Sequence, residues 1–199
     1  ICAADPELFS ILTSLRRKIA TSLNLPPFVI FQDPSLEAMA TTYPITIEEL
    51  ANISGVGMGK AKRYCEEFVK LIRTYVEDNE IDRPEDLRVR TVANKSKLKI
   101  AIIQAIDRKI DLNEIAVANG IDFDQLLDEI EAIVHSGTRI NIKYFIDDVI
   151  DPDDQDDIFE YFRTSDSGNL DDAYKELGDD FSEEEIRLVR IKFLSDMGN

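Results

Sequence analysis

Thr46-Ile47-Glu48-Glu49-Leu50-Ala51-Asn52-Ile53-Ser54-Gly55-Val56-Gly57-Met58-Gly59-Lys60 joins two helical segments and sets the pattern for the rest of the chain. Thr46 with Glu49 three residues later forms a capping box, so a brief helix is expected over 47–52. The glycine-rich turn 55–59 follows. Beyond it Ala61, Tyr64, Cys65, Phe68, Leu71, Ile72 and Tyr75 recur at helical spacing, which predicts a long helix fading near 77–80. A helix, not a strand, precedes the glycines, which excludes a dinucleotide-binding loop. Two readings of Gly55-Val56-Gly57 remain. It is a helix-hairpin-helix turn whose backbone N–H groups hold a DNA phosphate, with Lys60, Lys62 and Arg63 adding charge, or it only lets two helices approach closely.

Upstream, Leu8, Ile11, Leu12, Leu15, Ile19 and Leu23 mark an amphipathic helix over 6–24, ended by Leu25-Pro26-Pro27. Asp33 as N-cap with Pro34 at the first helical position opens a short helix that Tyr43-Pro44 closes. Downstream, Asp82-Arg83-Pro84-Glu85-Asp86 reads as a polar boundary, placing a linker at about 81–94 between a domain over 1–80 and a second over 95–199. In the second, Ser96 caps a helix over 98–110, Asp111 with Glu114 caps 115–119, Gly120 breaks the chain, and Asp122 caps 123–135. Helix, glycine, helix has the proportions of a helix-turn-helix. Residues 138–144 alternate polar and apolar, as a short strand would, but Asn141 capping a helix over 142–150 is favoured. Helices over 158–162 and 170–177 follow. The last begins at the Ser182/Glu185 capping box and carries the stripe Ile186, Val189, Phe193 and Leu194. The fold class expected is all-α.

The chain of 199 residues carries a net charge of −17, and residues 147–199 alone hold 18 acids against 5 Lys or Arg. So acidic a chain repels phosphate at long range, and any nucleic-acid contact needs a local basic patch or a neighbouring domain. The acidic segment reads either as a solvated face or as a docking surface for a basic partner or competitor for a DNA groove. The run 151–157 lacks the sixth-position glycine and final Glu of an EF-hand, so helix-dipole compensation explains it more simply than calcium. Cys2 and Cys65 form no CxxC pair, which argues against zinc or disulfides and fits a reducing, cytoplasmic setting. No apolar run approaches the roughly 18 residues of a membrane span. The first residue, Ile1, leads to the expectation that a longer parent was truncated here.

No Ser, Cys, His135 or carboxylate stands in an activating constellation, so no catalytic, metal or cofactor site is expected. The binding candidates are Arg16, Arg17 and Lys18 on the first long helix with Lys60, Lys62 and Arg63 on the last of the first domain, converging if those helices pack side by side. Phe28, beside the rigid Pro26-Pro27 turn, is placed to stack on an unpaired base or, like its apolar neighbours, to enter the core. The second helix of the helix-turn-helix carries Asp124, Asp128, Glu129 and Glu131 with no Lys or Arg, which assigns it a structural or protein-contact role rather than a groove.

Residues 5–78 resemble the HRDC domain, a helical module at the C-terminal end of RecQ helicases and of ribonuclease D. Leu15-Arg16-Arg17, Leu25-Pro26-Pro27-Phe28-Val29-Ile30-Phe31, Pro44-Ile45-Thr46 and Ile53-Ser54-Gly55-Val56-Gly57-Met58-Gly59-Lys60 carry the resemblance, and the Pro-Pro-aromatic segment is more like RecQ. Residues 95–199 look like the helix-turn-helix region following this module in some bacterial RecQ proteins, through Ile115-Ala116 and Ile186-Arg187-Leu188-Val189. No GxxxxGK[ST] loop occurs. The resemblance implies a non-catalytic accessory role in DNA repair and recombination. It would help grip single-stranded or branched DNA while motor domains of the same parent, with ATP and Mg, separate strands. It places Phe28 at the single-strand contact, with Arg16, Arg17, Lys60 and Lys62 around it. The chain departs in having a phenyl ring without a hydroxyl and so acidic a companion domain. A ribonuclease D context, or docking of the helicase core, is the alternative.

Overall fold

The computed structural model describes residues 3–83 and 95–198. Among the described residues every regular element is a helix: α1 Pro6–Leu23, α2 Pro27–Ile30, α3 Asp33–Thr42, α4 Ile47–Ala51, α5 Gly57–Asp78, α6 Lys95–Asp107, α7 Leu112–Ala118, α8 Phe123–His135, α9 Lys143–Val149, α10 Pro152–Thr164, α11 Leu170–Leu177 and α12 Glu183–Gly198. The fold is all-α. Backbone proximity divides the chain into two compact units, one built on α1–α5 and one on α6–α12. The expected linker lies mostly at 84–94, outside the described residues. Among the described residues no helix is long and apolar enough to cross a membrane.

In the first unit, Asp5 caps α1 by accepting from the Glu7 and Leu8 amides at 3.0 and 3.1 Å. Its other oxygen accepts from the Tyr43 and Tyr75 hydroxyls at 3.1 and 3.0 Å, tying α1 to the end of α3 and to α5. Burial works against its charge, but the Leu8 amide and both hydroxyls outweigh it and hold the Asp5 carboxyl below its ordinary value. Burial first, and then Asp5, push the Tyr75 hydroxyl up to about 12. Leu8, Leu12, Phe31, Leu36, Met39, Leu50, Phe68 and Ile72 form the core. Of the capping box before α4 the Thr46 half forms, with Glu49 N–H donating to Thr46 Oγ1 at 3.2 Å, whereas Glu49 Oε2 accepts from the Ile45 amide, one residue before the N-cap, at 2.8 Å.

Three local features differ from expectation. Residues 27–30 make a helical turn, because Pro27 at its first position has the helical φ built in. The N-cap of α3 is Gln32 rather than Asp33, whose carboxylate instead pairs with Arg16 at 2.8 Å. Helix α5 starts at Gly57, absorbing the last three residues of the turn expected over 55–59.

In the second unit, Asp122 and Gln125 exchange amide bonds at 2.8 and 3.0 Å to open α8. The favoured helix α9 forms, but its N-cap is Ile142 rather than Asn141, whose Oδ1 accepts from the Lys143 amide at 3.0 Å from one residue earlier. Helix α6 stops at Asp107 instead of near Ile110: Lys109 is left-handed (φ 58°), and the Lys109 and Ile110 amides return to Ile106 and Ala105. A helix stop on lysine carries no glycine signal. Helix α10 begins at Pro152, six residues before the expected start, so the acids there occupy its first turns. The Ser182/Glu185 box opens α12, which is buried nearly all round, at Ile186, Leu188, Val189, Arg190, Ile191, Phe193, Leu194 and Ser195. It is the centre of the unit rather than an amphipathic cover.

Candidate nucleic-acid interface

Arg16, Arg17 and Lys18 are successive on α1 and therefore point about 100° apart, so one must face inward. It is Arg16, 9% exposed, whose guanidinium donates to Phe31 O at 2.9 Å. Lys60, 5% exposed, donates to Val29 O at 3.1 Å. A four-residue helix leaves its carbonyls without intrahelical partners, and cations are favoured at a helix C-terminus. Arg16 and Lys60 therefore cap α2 from two sides. Phe28, on α2, is 4% exposed. Arg16, Phe28 and Lys60, expected on a nucleic-acid surface, are thus buried, the two cations by their bonds to the segment that follows Pro26-Pro27. Their burial leaves no ring face here for a base to stack on.

Gly55 has φ 84°, and a Cβ there would sit 2.6 Å from Ser35 Oγ, the hydroxyl that donates to Ser54 O at 2.8 Å. The turn thus lies hard against α3, and the close-approach reading accounts for Gly55. Gly57, φ 60°, opens α5, where Val56 supplies no side-chain cap.

Arg17, Lys18, Lys62 and Arg63 remain exposed. The last two border a groove of about 620 Å³ between the end of α1 and the start of α5, with Ile19, Ser22, Leu23 and Leu25 opposite. Lys18 stands one turn before Ser22, on the α1 rim, whereas Arg17 points elsewhere. Leu23 is 50% exposed in the wall. Arg63 lies 6.0 Å from the Tyr64 ring centroid, and Tyr64 meets Phe31 edge-on, which in turn meets Phe68 at 5.0 Å. The α5 wall therefore presents Lys62 and Arg63 beside Tyr64, whose ring is held from beneath by the buried Phe31 and Phe68. Glu66 and Glu67, one turn on, also line it and temper its affinity for anions. Leu23 and Tyr64 were not singled out in the sequence. Both fall in core-like stripes, and only the position of Leu23 just before the left-handed Asn24 marks it as the end of a buried face.

Burial pushes the Cys65 thiol up to about 12, so it is an inert packing residue. Among the described residues no three His, Cys, Asp or Glu gather to hold a metal ion.

In the second unit, the acids of α8 meet a cation. Arg187 of α12 donates to Glu131 Oε1 at 2.8 Å and to Asp128, with Asp124 at 3.9 Å. Burial works against its charge, but Glu131 and Asp128 outweigh it and hold the guanidinium charged more firmly than usual. Asp124, Asp128 and Glu131, at i, i+4 and i+7, thus bind α12, in keeping with a structural role for this helix.

Residues 5–72 match the HRDC domain, and residues 96–146 match the RecQ-1-like helix-turn-helix domain. The chain is 39% identical over 71 residues to the ATP-dependent DNA helicase RecQ of Bacillus subtilis, covering 36% of this chain and 12% of that protein. It is 36% identical over 75 residues to the RecQ helicase of Pasteurella multocida, covering 38% and 12%. It is also 36% identical over 74 residues to the ATP-dependent DNA helicase UvrD2 of Mycobacterium tuberculosis, covering 36% and 11%. The similarity therefore spans about an eighth of these relatives' length.

Proposed function

We propose that this chain, which carries an HRDC domain and a RecQ-1-like helix-turn-helix domain, is a non-catalytic accessory region of a RecQ-like ATP-dependent DNA helicase. It holds single-stranded or branched DNA for motor domains that bind ATP and Mg, in cytoplasmic DNA repair and recombination. The observation that carries this reading is the α1/α5 groove: two exposed cations, Lys62 and Arg63, face an apolar wall with Leu23 half exposed. Phosphates lie against the cations and the bases against the apolar side, an arrangement that tolerates any sequence. The site is therefore Lys18, Lys62 and Arg63 with Leu23 and Tyr64; Arg16, Phe28 and Lys60 hold the scaffold beneath it.

The test is fluorescence anisotropy of a labelled single-stranded oligonucleotide titrated with the whole chain across a salt series. Lys62→Ala/Arg63→Ala is expected to weaken binding and to flatten the log–log salt slope by about 1.4, at about 0.7 for each phosphate no longer neutralised. Unchanged affinity in that variant, or no binding at low salt, overturns the groove. The acid excess over 147–199 favours a second reading, docking of the parent's own motor domains, which predicts salt-sensitive co-elution with them.

A further inference from the structure

Helices α1 and α5 run antiparallel: Asp5, just before α1, accepts from Tyr75 near the end of α5, whereas Leu23, at the end of α1, faces Lys62 and Arg63 near the start of α5. The seam between them therefore has two ends, and the cation-bearing groove occupies one. At the other, a second groove of about 470 Å³ is lined by Ile11 from α1 and, on α5, by Glu67, Leu71, Thr74, Tyr75 and Asp78 among others. Ile11, Leu71 and Tyr75 are only half-buried, which leaves an apolar strip along its floor. Glu67, Leu71, Tyr75 and Asp78 follow one another at four-, four- and three-residue steps and so form one line, with an acid at each end and the apolar pair between. Glu7 stands one turn before Ile11 on α1, and its charge is among those that raise the Tyr75 hydroxyl. Of the lining residues, Lys70 carries the opposite charge. Glu67 lines both grooves, so the seam changes sign there, from basic toward the start of α5 to acidic toward its end. The Tyr75 ring is fixed by its bond to Asp5 at 3.0 Å, so the strip is preformed.

We propose that this acidic end of the α1/α5 seam docks a basic amphipathic helix of a partner protein. Glu7, Glu67 and Asp78 repel phosphate, which disfavours nucleic acid and anionic lipid alike, and attract Lys and Arg. The walls are two helices, and a third laid along the seam packs on them at the usual interaxial distance of about 8–10 Å. Its apolar side chains, repeating at three- and four-residue steps, meet Ile11, Leu71 and Tyr75, as in other helix-in-groove complexes. From Glu67 to Asp78 is about 16 Å, at about 1.5 Å per residue. The partner helix therefore carries its two Lys or Arg about three turns apart, on the same face as the apolar anchors between them. Those anchors supply most of the affinity, and the charges at the ends supply register and a faster encounter. The inference does not rest on the reading of the chain as a DNA-holding region.

The experiment is fluorescence anisotropy of a labelled amphipathic helical peptide, with Leu in its middle turns and Lys one turn beyond them on the same face, titrated with the whole chain. The same peptide with its residues scrambled is the control. Wild type is compared with Thr74→Trp, which fills the groove from an exposed position, and with Asp78→Lys, which reverses the charge at one end, also from an exposed position. An unchanged thermal midpoint shows that each variant is folded. The expected result is binding of the ordered peptide but not of the scrambled one, roughly tenfold weaker in either variant. Equal binding of both peptides, or binding that either variant leaves unchanged, means that the peptide is drawn by net charge or by another surface, and overturns the proposal, as does no binding by wild type. Binding of a labelled single-stranded oligonucleotide that falls in Thr74→Trp makes nucleic acid the occupant and overturns it too. Groove-dependent peptide binding by a chain that binds no oligonucleotide removes the DNA-holding reading alone and leaves this one standing.

Discussion

In the first unit two helices converge on one irregular segment: Arg16 from α1 and Lys60 from α5 both donate to carbonyls of residues 29–31. In the second, one helix reaches three. From α12, Arg187 holds the acids of α8, Arg190 donates to Gly168 O at 2.7 Å, and Ser195 both donates to Ile140 O at 2.7 Å and accepts from its amide at 2.8 Å. Burial pushes Arg190 below its ordinary value, with Glu131 working the other way. The convergent scheme shares the fixing of one turn between two side chains, so removing either strains the other. The divergent scheme gives α8, the Gly168 turn and the Ile140 segment each its own tie, so damage is local and independent.

The divergent scheme breaks most severely at Ser195, which is fully buried. Ser195→Ala orphans both the amide and the carbonyl of Ile140, at about 1–3 kcal/mol for each group. Hydrogen exchange of the second unit's amides is expected to show a drop in stability of about 2–6 kcal/mol with the first unit unaffected. A drop below about 1 kcal/mol means that Ile140 finds other partners. The convergent scheme is tested by Lys60→Met and Arg16→Met, each expected to cost about 1.5–3 kcal/mol through a charge-assisted bond to a buried carbonyl. The double variant should depart from additivity by about 0.5 kcal/mol or more, as neighbours sharing one segment do. Strict additivity in urea unfolding means that the two ties are independent after all.

The smallest effect concerns Asp5. Its carboxyl is held low in the folded state, so it contributes stability above the ordinary carboxylate range, and that contribution is lost as pH falls through its lowered folded value. Asp5→Asn keeps an N-cap but removes the titration. Urea midpoints of the first unit are expected to fall less between neutral pH and about pH 3 in the variant than in wild type. Equal acid sensitivity places the titrating group elsewhere, with Glu49 the next candidate, its carboxyl held low against burial by Arg83 and the Ile45 amide.

Much of the fold was legible because helix starts here are written in short polar signals: Thr46, Asp122 and Ser182 all cap as their spacing implies. Helix stops were legible where Gly120 takes the left-handed position, and illegible where Lys109 does, since lysine advertises no such conformation. The site was read less well. Charge and an aromatic beside Pro-Pro mark Arg16, Phe28 and Lys60 in sequence, but a side chain's sign does not tell whether it meets solvent or an orphaned carbonyl. The direction of Arg16 is set by the turn of α1 against a segment 15 residues away.

The centrality of α12 also orders events in time. The first unit's core is complete at Ile72, so on a ribosome it can close early. The second cannot, because the helix on which α8, the Gly168 turn and the Ile140 segment all depend is translated after every one of them. At about 5–20 residues per second, the apolar faces of α6–α11 wait on the order of ten seconds for their partner. Residues 147–182, which are made before α12, hold 14 acids against two Lys or Arg, so the mutual repulsion of that segment holds nascent chains apart while α12 is awaited.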